Sequence, residues 1–150
     1  MFVIIAIGCD HGGFELKNEI IKHLEGKGIV IKDFGCYDTN SVDYPDIAKV
    51  VCDSVVSGES EKGILVCGTG IGMSIAANKV KGIRAALLSD TFSAKMTAAH
   101  NDSNVIALGG RVLGVELAKD IVDAYLASEF LGGRHQTRVD KIMALEETRG

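Results

Sequence analysis

Short apolar runs alternate with segments of helical periodicity along the whole chain. Between the runs, apolar residues recur at three- and four-residue spacing, as in Ile20, Ile21 and Leu24, which is typical of a helix with one buried face. Regular alternation of this kind predicts a parallel sheet of five strands with helices on both faces. The five predicted strands are residues 3–7, 29–34, 63–67, 84–88 and 105–108.

The pattern changes near the carboxyl end, where Gly132 and Gly133 interrupt the rhythm and Val139 and Ile142 begin the apolar stripe of one more helix. The five-strand unit is already complete at that point. This helix could therefore pack on a partner subunit or fold back onto its own sheet, and the pattern leaves both open. We predict a single domain over residues 1–150, with residues 132–150 as an extension used in dimerisation.

Composition narrows the class of protein. The chain has 150 residues, of which 47% are hydrophobic, and its mean hydropathy of +0.21 is high for a globular chain of this size. Either a buried parallel sheet or a subunit interface accounts for that value. The formal net charge of −4 argues against a general nucleic-acid-binding surface.

Targeting and redox signals point to the cytoplasm. The first apolar run is interrupted by Gly8, Asp10 and His11 before it reaches signal-peptide length, and no run approaches the length of a membrane span. The four cysteines show no metal-ligand spacing and are expected to be reduced thiols. We expect neither membrane nor nucleic-acid partners.

The ends of three predicted strands carry the residues that could do chemistry. Asp10 and His11 follow the first strand, Cys67 ends the third, and Arg111 follows the fifth. Ligands of parallel sheets bind outside the carboxyl ends of the strands, so these residues should face one crevice. His100 ends the fourth helix, as does its neighbour Asn101, on the opposite edge of the sheet. They could serve this crevice only from another subunit.

A glycine-dense loop follows Cys67, with the sequence CGTGIGMS over residues 67–74. Its spacing does not match the dinucleotide fingerprint, because Met73 occupies the third glycine position, and no Lys-Ser/Thr pair follows as in a nucleotide P-loop. Glycines let backbone N–H groups approach a ligand closely, which favours an anion-binding turn. A tight turn without a ligand remains the alternative.

Cys67 itself has two interpretations. A cysteine at a strand end is most often a packing residue. Here, however, the start of the next helix follows directly, and a helix N-terminus favours the thiolate form.

The polar candidates are also ambiguous when each is taken alone. Asp10 and His11 could be a helix cap beside a surface histidine. Arg134 and Arg138 are four residues apart and could either hold one phosphate together or be two solvated side chains. Arg111, which follows a double glycine, has the same two interpretations.

Taken together, these segments closely resemble ribose-5-phosphate isomerase type B, of the family that also holds galactose-6-phosphate isomerase subunits. The matching motifs occur in family order over nearly the whole chain, so their combination is far more specific than any one of them. They are residues 8–11 (GCDH), 43–46 (DYPD), 67–74 (CGTGIGMS), 100–104 (HNDSN), 110–111 (GR) and 133–138 (GRHQTR).

The resemblance implies a Rossmann-like three-layer α/β/α domain with an extra C-terminal helix packed on a partner subunit. It implies a cytosolic aldose–ketose isomerase that interconverts ribose 5-phosphate and ribulose 5-phosphate, without a metal or an organic cofactor. It also implies a homodimer whose two active sites each take residues from both subunits; a further pairing into a tetramer is left open.

The resemblance also implies a role for each site residue. Cys67 would move the proton between C2 and C1 of the open-chain sugar, and His100 would open the furanose ring. The other roles are enediolate binding by Thr69, Gly68, Gly70, Ile71, Gly72 and Ser74, sugar contacts by Asp10, Tyr44 and Asn101, and phosphate binding by His11, Arg111, Arg134 and Arg138.

Two alternative functions remain from the sequence. The first is an isomerase of a six-carbon sugar phosphate, such as allose 6-phosphate or galactose 6-phosphate. In the resembling family the galactose enzyme divides its functional residues between two different subunits, whereas this chain carries the full set. The second alternative is a non-catalytic phosphate-binding module, which would leave Cys67 and His100 without a function.

Overall fold

The computed structural model describes residues 3–148, and its five strands form one parallel sheet in the order β2-β1-β3-β5-β4. The strands are β1 (Ile4–Cys9), β2 (Val30–Asp33), β3 (Lys62–Cys67), β4 (Ala85–Leu87) and β5 (Val105–Gly109). The helices are α1 (Phe14–Glu25), α2 (Tyr44–Val56), α3 (Ile71–Ala77), α4 (Thr91–Asn101), α5 (Val115–Ala127) and α6 (Arg134–Glu147). A single 3-10 turn, His11–Gly13, joins β1 to α1.

Successive side chains of each strand point to opposite faces of the sheet. Because both faces carry apolar side chains, helices cover both of them. On one face Ile7 and Ile106 belong to the apolar core formed with α1, α4 and α5. On the other face Ala6, Leu65 and Ala107 belong to the core formed with α2 and α3. The predicted five-stranded parallel sheet with helices on both faces is therefore confirmed.

The strand order places β1, β3 and β5 side by side in the middle of the sheet. In the register of the ladders, Cys9 pairs with Val66, and Cys67 pairs with Gly109. All three strands run in the same direction, so their carboxyl ends lie next to one another at one edge. The segments that follow Cys9, Cys67 and Gly109 therefore start from adjacent positions.

The predicted C-terminal helix is present as α6, and it contacts its own chain at the edge where β3, β4 and β5 begin. The Glu146 carboxylate accepts hydrogen bonds from the backbone N–H of Gly82 at 3.1 and 3.3 Å, and Val139 is buried. Ile142 and Leu145 remain largely exposed. Packing of this exposed side on a partner subunit stays a prediction.

The predicted domain of residues 1–150 and its extension of residues 132–150 include four positions outside the described residues, namely 1, 2, 149 and 150. In the described part of the chain, no helix is both long enough and apolar enough to cross a membrane.

Candidate active site

Three glycine-containing loops meet at the carboxyl edge of the sheet. A Cβ atom added to Gly12 would lie 3.1 Å from the backbone nitrogen of Gly68, and one added to Gly110 would lie 2.6 Å from the carbonyl oxygen of Gly12. The N–H of Gly110 donates to the carbonyl of Cys67 at 2.7 Å, and the N–H of Arg111 donates to that of Gly68 at 2.9 Å. Only residues without side chains allow the three loops to approach this closely.

Cys67 ends β3, and its side chain is only 5% exposed. The chain then turns back, so that the backbone N–H of Gly70 donates to the sulfur of Cys67 at 3.1 Å. Gly70 makes this turn possible with a φ of +81°, a left-handed conformation that glycine adopts without strain. The thiol is therefore held next to the glycine loop, with a backbone N–H donor directed at its sulfur.

Two polar side chains of the same segment form hydrogen bonds with the backbone at the start of α3. Thr69 Oγ1 accepts from the N–H of Ile71 at 3.2 Å, and Ser74 Oγ donates to the carbonyl of Ile71 at 2.8 Å. Two of the predicted enediolate donors, the N–H groups of Gly70 and Ile71, are thus engaged inside the loop. A ligand would have to replace these internal contacts or use the other N–H groups of the loop.

Two further predicted site residues lie against this loop. A Cβ on Gly72 would lie 2.6 Å from the ring of Tyr44, so the ring occupies the space that a side chain at position 72 would fill. Arg111 Nη1 lies 3.4 Å from the position of a Cβ on Gly68. The phenol ring and the guanidinium group therefore flank the glycine loop.

Asp10 and His11 lie on the turn that touches Gly68. Asp10 Oδ1 accepts from the N–H of Gly12 at 2.9 Å, so this residue does cap the short 3-10 helix. His11 Nδ1 accepts from the N–H of Val42 at 3.4 Å, which ties the loop before α2 to this edge. The structure thus groups Asp10, His11, Tyr44 and Arg111 around the segment of residues 67–74.

The remaining predicted site residues lie at the opposite edge of the sheet. His100 and Asn101 end α4, close to the start of β5, whereas Cys67 pairs with the last residue of β5. The five residues of β5 span about 13 Å at roughly 3.3 Å per residue. Arg134 and Arg138 belong to α6 at the edge of His100, a placement that the sequence pattern did not reveal.

His135 is a residue that the sequence analysis did not assign. Its ring stacks on that of His100, with centroids 4.2 Å apart and an angle of 6° between the planes. Desolvation lowers the pKa of His135, and electrostatic interactions with His100, Arg134 and Arg138 lower it further. The only signal was its place in the motif of residues 133–138, since two histidines 35 positions apart carry no sign of contact.

Metal binding has no support within residues 3–148. In that range no group of three or more His, Cys, Asp or Glu side chains is arranged to hold a metal ion. The arrangement instead offers a thiol beside backbone donors, cationic groups at both edges and a stacked pair of imidazoles. These groups can move protons and bind anions.

The family model described as Ribose/Galactose Isomerase matches residues 5–142. This chain belongs to that family. It is 52% identical over 145 residues to ribose-5-phosphate isomerase B of Escherichia coli, covering 97% of each chain. It is also similar to the structure of ribose-5-phosphate isomerase B from Clostridium thermocellum, with 52% identity, a TM-score of 0.97 and coverage of 99% of this chain and 100% of that one.

A third relative acts on a different sugar. A D-erythrulose-4-phosphate isomerase of Pectobacterium atrosepticum is 48% identical over 140 residues, covering 92% of this chain and 91% of its own. Membership in this family makes the chain a sugar-phosphate isomerase. The alternative of a non-catalytic phosphate-binding module is therefore wrong.

Proposed function

We propose that this enzyme interconverts D-ribose 5-phosphate and D-ribulose 5-phosphate through an enediolate. Relatives that are ribose-5-phosphate isomerases support this substrate at about half identity over nearly the full length. The observation that carries the mechanism is the Cys67 thiol, which receives the N–H of Gly70 at 3.1 Å beside the glycine loop. In this proposal the proton-accepting group and the anion-stabilising donors belong to one turn of chain.

Cys67 takes the proton from C2 of the open-chain aldose and returns it to C1, while the hydroxyl proton on O2 passes to O1, so that C1 becomes an alcohol and C2 a ketone. Removal of a proton next to a carbonyl leaves an enediolate, and negative charge already builds up on its oxygens in the transition state. Backbone N–H groups of residues 68–72 bind the enediolate oxygens, and those fixed by the fold before the substrate arrives lower the barrier because they need not reorganise as that charge develops. The N–H groups of Gly70 and Ile71 first have to exchange their contacts inside the loop for the substrate. Thr69 and Ser74 hold the loop in this geometry.

His100 opens the furanose ring, since an imidazole can donate and accept a proton near neutral pH. Within one chain it lies at the far edge of the sheet from Cys67. We therefore propose a homodimer in which each site combines Cys67 of one subunit with His100 and Asn101 of the other. Further pairing into a tetramer is compatible with this arrangement.

The phosphate is bound by cationic groups from both edges. His11 and Arg111 lie beside the glycine loop, and Arg134 and Arg138 come from α6 of the partner in this proposal. Several cations on one phosphate provide binding energy away from the reacting carbons and fix their position. Asp10, Tyr44 and Asn101 contact the sugar hydroxyls.

Exposed apolar side chains near the glycine loop support burial in such a dimer. Ile71 and Ile75 on α3 are each at least half exposed, and Leu87, whose side chain lies against Gly70, is 44% exposed. Large apolar groups clustered on one region of a monomer favour a protein interface there.

All four cysteines are free thiols, which supports the proposed cytoplasmic location.

The first experiment measures ribulose 5-phosphate formed from ribose 5-phosphate by the purified protein. Absence of turnover at high enzyme concentration would contradict the proposed reaction.

The second experiment tests whether the site is shared between subunits, and it mixes Cys67→Ala with His100→Ala subunits after reversible dissociation. Shared sites predict that activity returns to about a quarter of the wild-type value, because half of the dimers carry one intact site. Sites built from a single subunit predict no recovery.

A four-carbon substrate is the main alternative, because a relative at 48% identity is a D-erythrulose-4-phosphate isomerase. Six-carbon phosphates such as allose 6-phosphate and galactose 6-phosphate are the other candidates. One carbon more or less discriminates weakly unless the pocket closes around the sugar. Comparison of kcat/KM for the four-, five- and six-carbon substrates identifies the preferred one.

A further inference from the structure

The turn that follows His100 is held by an arginine from a different part of the chain. Arg84 Nε donates to the carbonyls of Asn101 at 3.2 Å and Asp102 at 3.0 Å, and its Nη2 donates to that of Asp102 at 2.7 Å. Asp102 has a φ of +48°, a conformation that non-glycine residues seldom adopt. One guanidinium group thus holds two successive carbonyls at the end of α4.

Other side chains bind the rest of this turn. Asn104 accepts from the N–H of Arg84 at 2.8 Å and donates to the carbonyl of Gly82 at 2.8 Å. The carbonyl of Ser103 accepts from the hydroxyl of Tyr125 and from Lys62 Nζ. The backbone that presents His100 is therefore set by polar contacts over residues 101–104.

Packing does not replace these contacts on the Arg84 side. A cavity of about 240 Å³ adjoins Arg84 and Asn101 there, with Ile142 of α6 on its wall. Loss of the guanidinium would leave the turn free to move into this space. On this side the hydrogen bonds of Arg84 therefore add to the packing of α4, whose Ala98 and Ala99 are buried.

Arg84 also reaches the second element of the same half-site. Its Nη1 lies 3.4 Å from Met143 Sδ on α6, the helix that carries His135 against His100. The Arg84 side chain is 18% exposed and is directed into the protein. Its contacts are therefore made to the end of α4 and to α6.

We propose that Arg84 is the positioning residue that holds His100 in the orientation needed for ring opening. The proposal rests on the proposed function of His100. An arginine is needed because its planar fork can bridge two neighbouring carbonyls, whereas the compact ammonium of lysine cannot hold both in the same geometry. A displacement of about 1 Å at a catalytic group can lower a rate by roughly 100-fold.

The kinetic test compares Arg84→Lys and Arg84→Gln with Lys81→Gln, which removes one charge at an exposed position three residues earlier. With ribose 5-phosphate, the Arg84 variants should lose roughly 10- to 100-fold in kcat/KM, and the control should stay near wild type. The kinetic isotope effect of deuterium at C2 on kcat/KM separates a positioning role from a general loss of structure. If ring opening is slower in the Arg84 variants, proton transfer limits the rate less, and the isotope effect should fall toward one. An isotope effect that is unchanged or larger than in wild type overturns the proposal.

A double-mutant cycle adds a second criterion. Arg84→Lys should cost little further activity in a His100→Ala background, because a residue that acts through His100 has no effect once the imidazole is gone. An equal fold-loss in both backgrounds overturns the proposal. If the unmutated protein shows no isomerase activity with ribose 5-phosphate, that result would instead contradict the proposed function.

A measurement independent of activity decides the structural claim. Proton NMR of the imidazole rings should show upfield ring-current shifts for His100 and His135, with His135→Asn used for assignment. In Arg84→Lys the His100 signals should move toward unstacked values, and in Lys81→Gln they should not. Unchanged His100 signals in a folded Arg84→Lys protein overturn the positioning role whether or not the enzyme accepts ribose 5-phosphate.

Discussion

The backbone N–H of Gly70 donates a hydrogen bond to the sulfur of Cys67, three residues earlier, at 3.1 Å. The contact exists because the chain reverses at Gly70 with a positive φ, at the point where α3 begins. It couples the conformation of the glycine loop to the position of the sulfur. In the proposed mechanism, a change in loop geometry should therefore also change the rate of proton transfer.

Replacement of Cys67 tests the proton-transfer role. Cys67→Ala should lower kcat by several orders of magnitude while sugar-phosphate binding persists, because the phosphate is held by other residues. Steady-state kinetics and calorimetric titration with ribose 5-phosphate measure the two effects. Cys52→Ala is the matched control, since Cys52 is fully buried in the core between α2 and the sheet. Near-normal turnover in Cys67→Ala would exclude Cys67 as the base.

A methyl group at Gly70 should disrupt the loop. In Gly70→Ala the new Cβ would lie 2.6 Å from Leu87 Cδ1 and 2.9 Å from the carbonyl carbon of Leu108, at a φ of +81°. We expect a loss of roughly 1–3 kcal/mol in unfolding free energy from the strained conformation, with reduced turnover. Gly28→Ala is the control, because Gly28 has a φ of +80° and open space around its Cα. Both variants share the backbone strain, but only Gly70→Ala adds close contacts. Equal effects of the two variants on turnover would therefore contradict a specific role for the packing around Gly70.

The buried ion pair of Lys17 should be sensitive to loss of one partner. Lys17 is 1% exposed, and its ammonium donates to both carboxylate oxygens of Asp33 at 2.9 and 3.0 Å. Asp33→Ala leaves this charge buried without its counter-ion and should cost about 3–5 kcal/mol in denaturant unfolding. Lys17→Met should cost less, because it removes the buried charge itself.

An exposed ion pair provides the comparison for Lys17. Lys49 Nζ lies 2.6 Å from Asp53 Oδ2, with both side chains more than half exposed. Asp53→Ala should therefore change stability by less than about 1 kcal/mol. A similar loss in Asp53→Ala and Asp33→Ala would contradict the importance of burial.

Acid stability should depend on Asp123, which joins α5 to α1. Partial burial raises the pKa of this carboxyl, but hydrogen bonds from Lys27 and His23 outweigh burial and hold it below its ordinary value of 3.8. A carboxylate with a lowered pKa in the folded state stabilises the fold above the unfolded pKa, and this contribution disappears as the pH falls through the folded pKa.

Asp123→Asn should therefore lower Tm near neutral pH and have little effect at pH values well below 3.8. The loss should be about 1 kcal/mol or less, because water screens the group. Thermal unfolding from pH 7 downward measures it, with the exposed Asp120→Asn on the same helix as the control. A Tm difference between wild type and Asp123→Asn that does not shrink as the pH falls would contradict this role.

Much of the architecture could be predicted from the chain. Each strand and helix carries its own periodicity, since a residue's exposure within an element depends on neighbours two to four positions away. The parallel-sheet rule then predicts that Asp10, Cys67 and Arg111 lie at one edge of the sheet. The roles of these residues, and the single-domain boundary at 1–150, remain predictions.

What only the tertiary structure decided are the contacts between distant segments. No local pattern shows that β5 lies between β3 and β4, that His135 stacks on His100, or that Arg84 holds the carbonyls that follow His100. Periodicity records which face of an element avoids water, but not which other element covers that face. Partners far apart in sequence are selected by shape and hydrogen bonding once all the elements pack together, and that selection brings His135 and Arg84 to the end of α4.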